Sequence, residues 1–197
     1  MNMRVIVLVL VLGIGGLGYV AWQKYSAPAQ QEQQAPPQGE MPPQVELPAA
    51  ADPGLEWDAP SAWSSEPGRG MRLATYSIAG DKGAAECAVF YFGQGQGGPV
   101  DANIQRWLGE FKNASNPERT TKKVGEFTVN RVRVKGEWVS HSMSAGEQAA
   151  PQADHELLGA IVETPVGSVF FKLTGPTATV DGVVGQFDKM IASVRRK

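Results

Sequence analysis

A chain of 197 residues is long enough for one domain with its own core beside a substantial extra segment. Its 18 basic and 20 acidic residues leave it near neutrality, and from Leu55 onward there are 16 of each; this argues against nucleic acid as a partner, because phosphate binding is driven by clustered positive charge. Cys87 is the one cysteine, so an internal disulfide and a cysteine-based zinc site are both excluded.

Val5 to Ala21 carries no charge and is followed by Trp22, Lys24 and Tyr25. As a helix this run would span about 26 Å, slightly short of the ~30 Å hydrocarbon core, a difference that thinning or snorkelling of Lys24 absorbs. Residues 1–25 are therefore expected to be a signal anchor whose residues 5–21 cross the membrane. Arg4 lies on one side of the run, whereas between Tyr25 and Gly68 there is no Lys or Arg and the acids Glu32, Glu40, Glu46 and Asp52 accumulate. The positive-inside rule then places the C-terminal domain outside the cytoplasm, as a single-pass protein of the cell membrane. The alternative is a cleaved signal peptide with a secreted or periplasmic product, for which Ala27-Pro28-Ala29 is the A-x-A-like site following the apolar run.

Residues 26–54 are rich in Pro, Gln, Ala and Glu with almost no large apolar side chain, a composition that predicts a disordered linker. Extended as polyproline, its 29 residues would reach about 90 Å. No basic-flanked P-x-x-P pattern marks it as a ligand, and it reads as a spacer.

From Leu55 to Lys197 the pattern is that of a soluble α+β domain. Met71–Ile78 and Ala85–Phe92 read as strands joined through the turn chemistry of Gly80-Asp81-Lys82-Gly83. Val100–Phe111 changes period: Val100, Ile104, Trp107, Leu108 and Phe111 form one helical stripe. A polar stretch from Asn113 to Thr121 precedes strands expected at Lys123–Val129, Arg131–Val139, Leu157–Thr164 and Ser168–Leu173, the last two joined by Pro165-Val166-Gly167. Thr177–Val194 closes the chain as an amphipathic helix. The order β-β-α-β-β-β-β-α predicts an antiparallel sheet flanked by helices.

The run from Leu157 to Arg195, the W-x-x-P-x-x-W spacing of Trp57, Pro60 and Trp63, the MRLATYSI strand and Asn103-x-x-Arg106-Trp107 together resemble a group of uncharacterised bacterial exported proteins. The strand and helix order of that group is similar to the PsbP-like α/β/α sandwich, the fold of a photosystem extrinsic subunit and of a Ran-binding import factor. The resemblance implies a non-enzymatic binding or assembly module, and it transfers no site residues.

Gly93-x-Gly95-x-x-Gly98 follows a strand and precedes a helix, as a dinucleotide fingerprint would. Asp101 sets a carboxylate where the pyrophosphate would lie, Pro99 removes a donor, and no apolar parallel strand follows, so the segment reads as a flexible loop without a cofactor. Asp154-His155-Glu156 with His141 invites a metal, but neighbours on a strand face opposite ways and a metal set is not expected. Ser140, Ser142 and Ser144 lack the G-x-S-x-G elbow of a hydrolase. Trp57, Trp63, Trp107 and Trp138 are expected in the core, and Cys87 as a small buried hydrophobe. Arg106, beside Trp107, could stack on it, pair with Glu110 or face a ligand, and the two form a secondary candidate surface.

The leading candidate for contact is the stripe Arg131, Arg133 and Lys135. Alternation with Val132 and Val134 puts the three cations on one strand face, expected to be the solvated side of the sheet and able to meet a protein or an anionic envelope partner. The favoured reading is thus a membrane-tethered binding or assembly module. The alternative is a small-molecule-binding or hydrolytic domain with a cleft near the Gly93–Gly98 loop and the Ser144–His155 loop.

Overall fold

The computed structural model describes residues 52–115, 117–139 and 150–197. The expected spanning segment and most of the linker lie outside those residues, as do Ser140, His141, Ser142 and Ser144. Among the described residues no helix is long and apolar enough to cross a membrane.

In chain order the elements are β1 (Leu55–Glu56), β2 (Ser64–Arg69), β3 (Arg72–Ile78), β4 (Ala85–Tyr91), α1 (Val100–Leu108), β5 (Phe111–Lys112), β6 (Glu118–Val124), β7 (Phe127–Trp138), β8 (Gln152–Thr164), β9 (Gly167–Pro176), α2 (Thr177–Ala192) and β10 (Arg195–Arg196). β1 and β10 form a short clasp between the two ends of this unit. The remaining eight strands make one antiparallel sheet in the order β2-β3-β4-β9-β8-β7, with β5 and β6 both paired to β7.

Period-2 alternation in the long central strands builds two cores. On one face Leu158, Ala160 and Val162 of β8 and Phe171 and Leu173 of β9 pack against Val180, Phe187, Met190 and Ile191 of α2. On the other, Val132, Val134, Leu157, Ile161 and Phe170 receive Ile104 and Trp107 of α1. Helix, sheet and helix are therefore stacked as three layers. The segment between β1 and β2 joins the α2 layer: the Trp57 indole donates to Tyr76 Oη at 2.9 Å and meets Phe171 edge-on, while Trp63 donates to Gln186 Oε1 of α2 at 2.8 Å. On the α1 side Gly159 leaves room for Trp107, since a Cβ there would lie 2.5 Å from the indole ring.

Several expected boundaries differ. α1 ends at Leu108, and Phe111 reaches the same core from β5 instead of from a further helical turn. The strand expected at Lys123–Val129 is the tip of a hairpin: Val124 pairs with Phe127 across Gly125-Glu126, with Gly125 at φ 56°, and the polar run expected as a loop supplies β6. β6 and β2 are almost wholly exposed strands at the sheet's edges, so neither has a buried face to impose alternation on its sequence.

Candidate functional site

The chemistry-bearing residues gather at one end of the sheet, where β7 and β8 lose register. Gly136 pairs with His155 and Trp138 with Gln152, so two residues of β8, Ala153 and Asp154, oppose one of β7. Asp154 takes φ 53°, the left-handed conformation that a bulge accommodates. His155 is thereby turned under Trp138, their rings nearly parallel at 5.9 Å, and its Nδ1 contacts the Ala153 carbonyl at 2.9 Å. The next residue, Glu156, points to the opposite face and is wholly buried beneath α2.

Glu156 sits in the middle of the cationic stripe. Arg133 Nε donates to its Oε1, and Lys135 Nζ lies 3.5 Å from Oε2. From α2, Asp181 accepts from Arg133 and, at 2.9 and 3.0 Å, from Lys135; Asp188 meets Arg131 at 3.1 Å. Burial pushes the Glu156 carboxyl above its ordinary range, against the opposing pull of Arg133. The hydrogen bond from Lys135 holds Asp181 below its ordinary range. Arg133 and Lys135 are both raised, chiefly by their bonds to Glu156 and Asp181.

The solvated basic face expected of Arg131, Arg133 and Lys135 is therefore corrected. The three cations do share one strand face, but α2 lies on it and answers them with acids. The geometry of the two elements explains the match: Asp181 and Asp188 are separated by about 10.5 Å along a helix, and Arg131 and Lys135 by about 13 Å along a strand. Charged positions flanking the apolar stripe of α2 were the available signal. The buried acid between them, Glu156, carried none, because its neighbours in sequence suggested a loop.

The other candidates also bond to their own domain. In the glycine loop, Gly93, Gly95, Gly97 and Gly98 all have positive φ. Its carbonyls, not its amides, are gathered: the Asn103 amide donates to Gly97 O at 2.7 Å and Pro99 O at 2.9 Å. Arg106 donates to Asn103 Oδ1 at 2.7 Å, fixing that amide, while Trp107 is buried against Phe170. Glu110, one of the partners open to Arg106, instead accepts from Lys172 at 2.6 and 2.7 Å and from the Trp138 indole at 3.1 Å. Burial pushes the Cys87 thiol far up. Among the described residues no three His, Cys, Asp or Glu side chains are placed to hold a metal.

A cleft of about 1030 Å³ opens at the bulged end, lined by Lys82, Lys135, Glu137, His155, Asp181 and the first residues of α2. Of the loops expected to border a cleft, Gly93–Gly98 and Ser144–His155, residues 144–149 of the second lie outside the described residues, and among the described residues His155 does not meet the glycine loop. Tyr91, just before the glycines, pairs with Val169 at the start of β9, whereas His155 pairs with Pro176 at its end. Seven residues of strand, roughly 23 Å, separate these positions.

No family model matches the chain, and no curated protein matches it. Among solved structures, the solution structure of cyanobacterial PsbP (CyanoP) from Synechocystis sp. PCC 6803 is similar over 82% of this chain and 100% of that one, with 11% identity and a TM-score of 0.46.

Proposed function

We propose that this chain is a membrane-tethered binding or assembly module, with its α/β/α domain held outside the cytoplasm, that acts by contact and performs no chemistry of its own. The uncharged Val5–Ala21 run, with Arg4 before it and four acids in the linker after it, supports the tethering and its direction. The layering of α1, sheet and α2 supports the assignment to PsbP-like sandwiches. One observation carries the functional reading: among the described residues, the charged and amide side chains singled out as candidates bond within the domain. Glu156 and Asp181 join β7 and β8 to α2, Glu110 ties α1's end to Lys172, and Asn103 closes the glycine loop.

The contact site in this reading is the rim of the cleft at the bulged end, where Lys82 is exposed between β3 and β4 and Glu137 lines the cleft from β7. The partner is a protein or another envelope component. Photo-crosslinking in the native envelope tests it, with a reactive side chain in place of Lys82 or Ala153 on the rim, or of Lys122 on the exposed edge strand β6. Discrete adducts from the two rim positions alone are expected. No adduct, or the same adducts from Lys122, overturns the reading.

A further inference from the structure

The register of the sheet puts three of its hairpin turns at one end: Arg69 pairs with Arg72 across Gly70-Met71, Val124 with Phe127 across Gly125-Glu126, and Thr164 with Gly167 across Pro165-Val166. The strands between keep the same sense, with Phe90 opposite Arg72 and Tyr91 opposite Val169. This is the end away from the bulge at Asp154, since His155 pairs with Pro176 at the far end of β9. Tyr91 bonds two of the turns to each other: its amide donates to Met71 O at 3.0 Å and its hydroxyl to Val166 O at 2.6 Å.

Three observations converge on these turns. Met71 and Val166, 59% and 40% accessible, are the exposed large hydrophobic side chains among the described residues. Scattered singly such residues are ordinary, but here both stand at turn tips held together by one tyrosine. Beside the turns Arg69, Lys122 and Lys123 are exposed and meet no carboxylate among the described residues, while Glu126 and Asp52 at this end are taken by Arg196 and Lys197. Glu163 and, further from its turn, Glu66 are the acids left without a cation, so the charge here is net positive. The chain also enters the domain at this end: Asp52, the first described residue, accepts from Lys197, whose neighbour Arg196 holds Glu126 of the β6–β7 turn.

We infer that the hairpin end of the domain docks on an anionic lipid surface, with Met71 and Val166 entering the headgroup boundary and Arg69, Lys122 and Lys123 meeting lipid phosphates. Apolar tips with cations around them are what an interface of headgroups and acyl chains accepts. The footprint favours lipid over protein. Arg69 on β2 and the two lysines on β6 lie at opposite edges of the sheet, six strand spacings or roughly 29 Å apart, with two isolated apolar tips between them. A fluid, charged plane meets so wide and sparse a set without any matching shape, whereas a specific protein interface needs a packed centre. Weak contacts suffice, because a chain anchored in the bilayer meets it at high effective concentration. This inference rests on the reading of Val5–Ala21 as a membrane anchor, and it turns the cleft rim at the bulged end away from the bilayer, toward a partner.

The test uses the full chain in lipid nanodiscs of phosphatidylcholine, with or without phosphatidylglycerol, doped with a lipid carrying a nitroxide quencher. A small fluorophore is placed on the β8–β9 turn through Pro165→Cys or at the opposite end through Lys82→Cys, both exposed positions, while buried Cys87 stays unlabelled. Quenching is expected at Pro165→Cys and not at Lys82→Cys, stronger with phosphatidylglycerol and weaker at high salt. Arg69→Gln, Lys122→Gln and Lys123→Gln should each lower the docked-to-free ratio about fivefold. Met71→Ser should lower it as well while leaving the thermal midpoint unchanged, because an exposed turn residue contributes little to packing. Equal quenching at both positions, no quenching at Pro165→Cys in discs that retain the chain, or unchanged quenching in the triple Gln variant overturns the inference. A photo-crosslinker at Pro165 that gives discrete protein adducts where lipid quenching is absent makes this end a protein interface and overturns it too. A chain that the discs do not retain removes the anchor and the docking together, whereas retention without quenching removes the docking alone.

Discussion

Glu156 is the residue whose energetics are most exposed to experiment. It is fully buried as an acid, and Arg133 donates directly to it. Arg133→Met would leave that carboxylate with Lys135 alone at 3.5 Å, and loss of one partner of a buried pair should destabilise the fold by about 3 kcal/mol at neutral pH. The penalty should shrink on acidification, since a protonated Glu156 no longer needs a cation; denaturant midpoints at two pH values measure it. Glu156→Gln gives the complementary sign. A carboxyl whose pKa is raised on folding contributes stability that is fully present below its unfolded value, near 4.3, and is lost as pH rises through the folded value. The Glu156→Gln variant should therefore gain on the wild type as pH rises from about 4 through the raised folded value. A gain by the wild type over that interval would mean that Arg133 and Lys135 outweigh burial.

At the scale of elements, the narrow point is the seat of α1 on the sheet. Trp107 approaches Gly159 so closely that any side chain there must move the indole or the strand. Gly159→Val should cost about 1–3 kcal/mol by overpacking and alter the near-ultraviolet circular dichroism of the buried tryptophan. An unchanged spectrum and stability would show that α1 can slide without loss. What could be read from the sequence followed from burial. β3, β4, β8, β9 and both helices have an apolar face, and their patterns announced them within a few residues. β2 and β6 do not, and a polar strand such as Glu118–Val124 looks like a loop until a partner is known. The candidate site was legible only in part for a related reason. Alternation correctly put Arg131, Arg133 and Lys135 on one face, but whether that face is wet depends on what lies over it, and α2 arrives from 46 residues further along the chain at Asp181. Glu156 was hidden because the strand was expected to begin at Leu157, although Glu156 continues the alternation of Leu158, Ala160 and Val162.

At the scale of the whole molecule, the claim most open to refutation is the side of the membrane on which the domain works. Its basis is an asymmetry of charge across one apolar run: Arg4 before it, and no further cation beyond Lys24 until Arg69, while seven acids intervene. Retention of positive charge on the cytoplasmic side would then send everything after Ala21 across the membrane. The domain contains its own control for testing this. Cys87 is completely buried with its thiol pushed far up, so a folded chain should not react there with a maleimide. A cysteine introduced by Ser65→Cys lies on the exposed edge strand β2 and should react wherever reagent can reach it. In spheroplasts producing the full chain, a membrane-impermeant maleimide should label the Ser65→Cys variant as fully as a permeant one does, and leave the wild type unlabelled. Labelling of the variant by the permeant reagent alone would place the domain in the cytoplasm and reverse the orientation inferred from Arg4. Labelled variant recovered in the released fluid instead of with the membranes would keep the orientation and show that the anchor is removed, with the new amino terminus expected at Gln30.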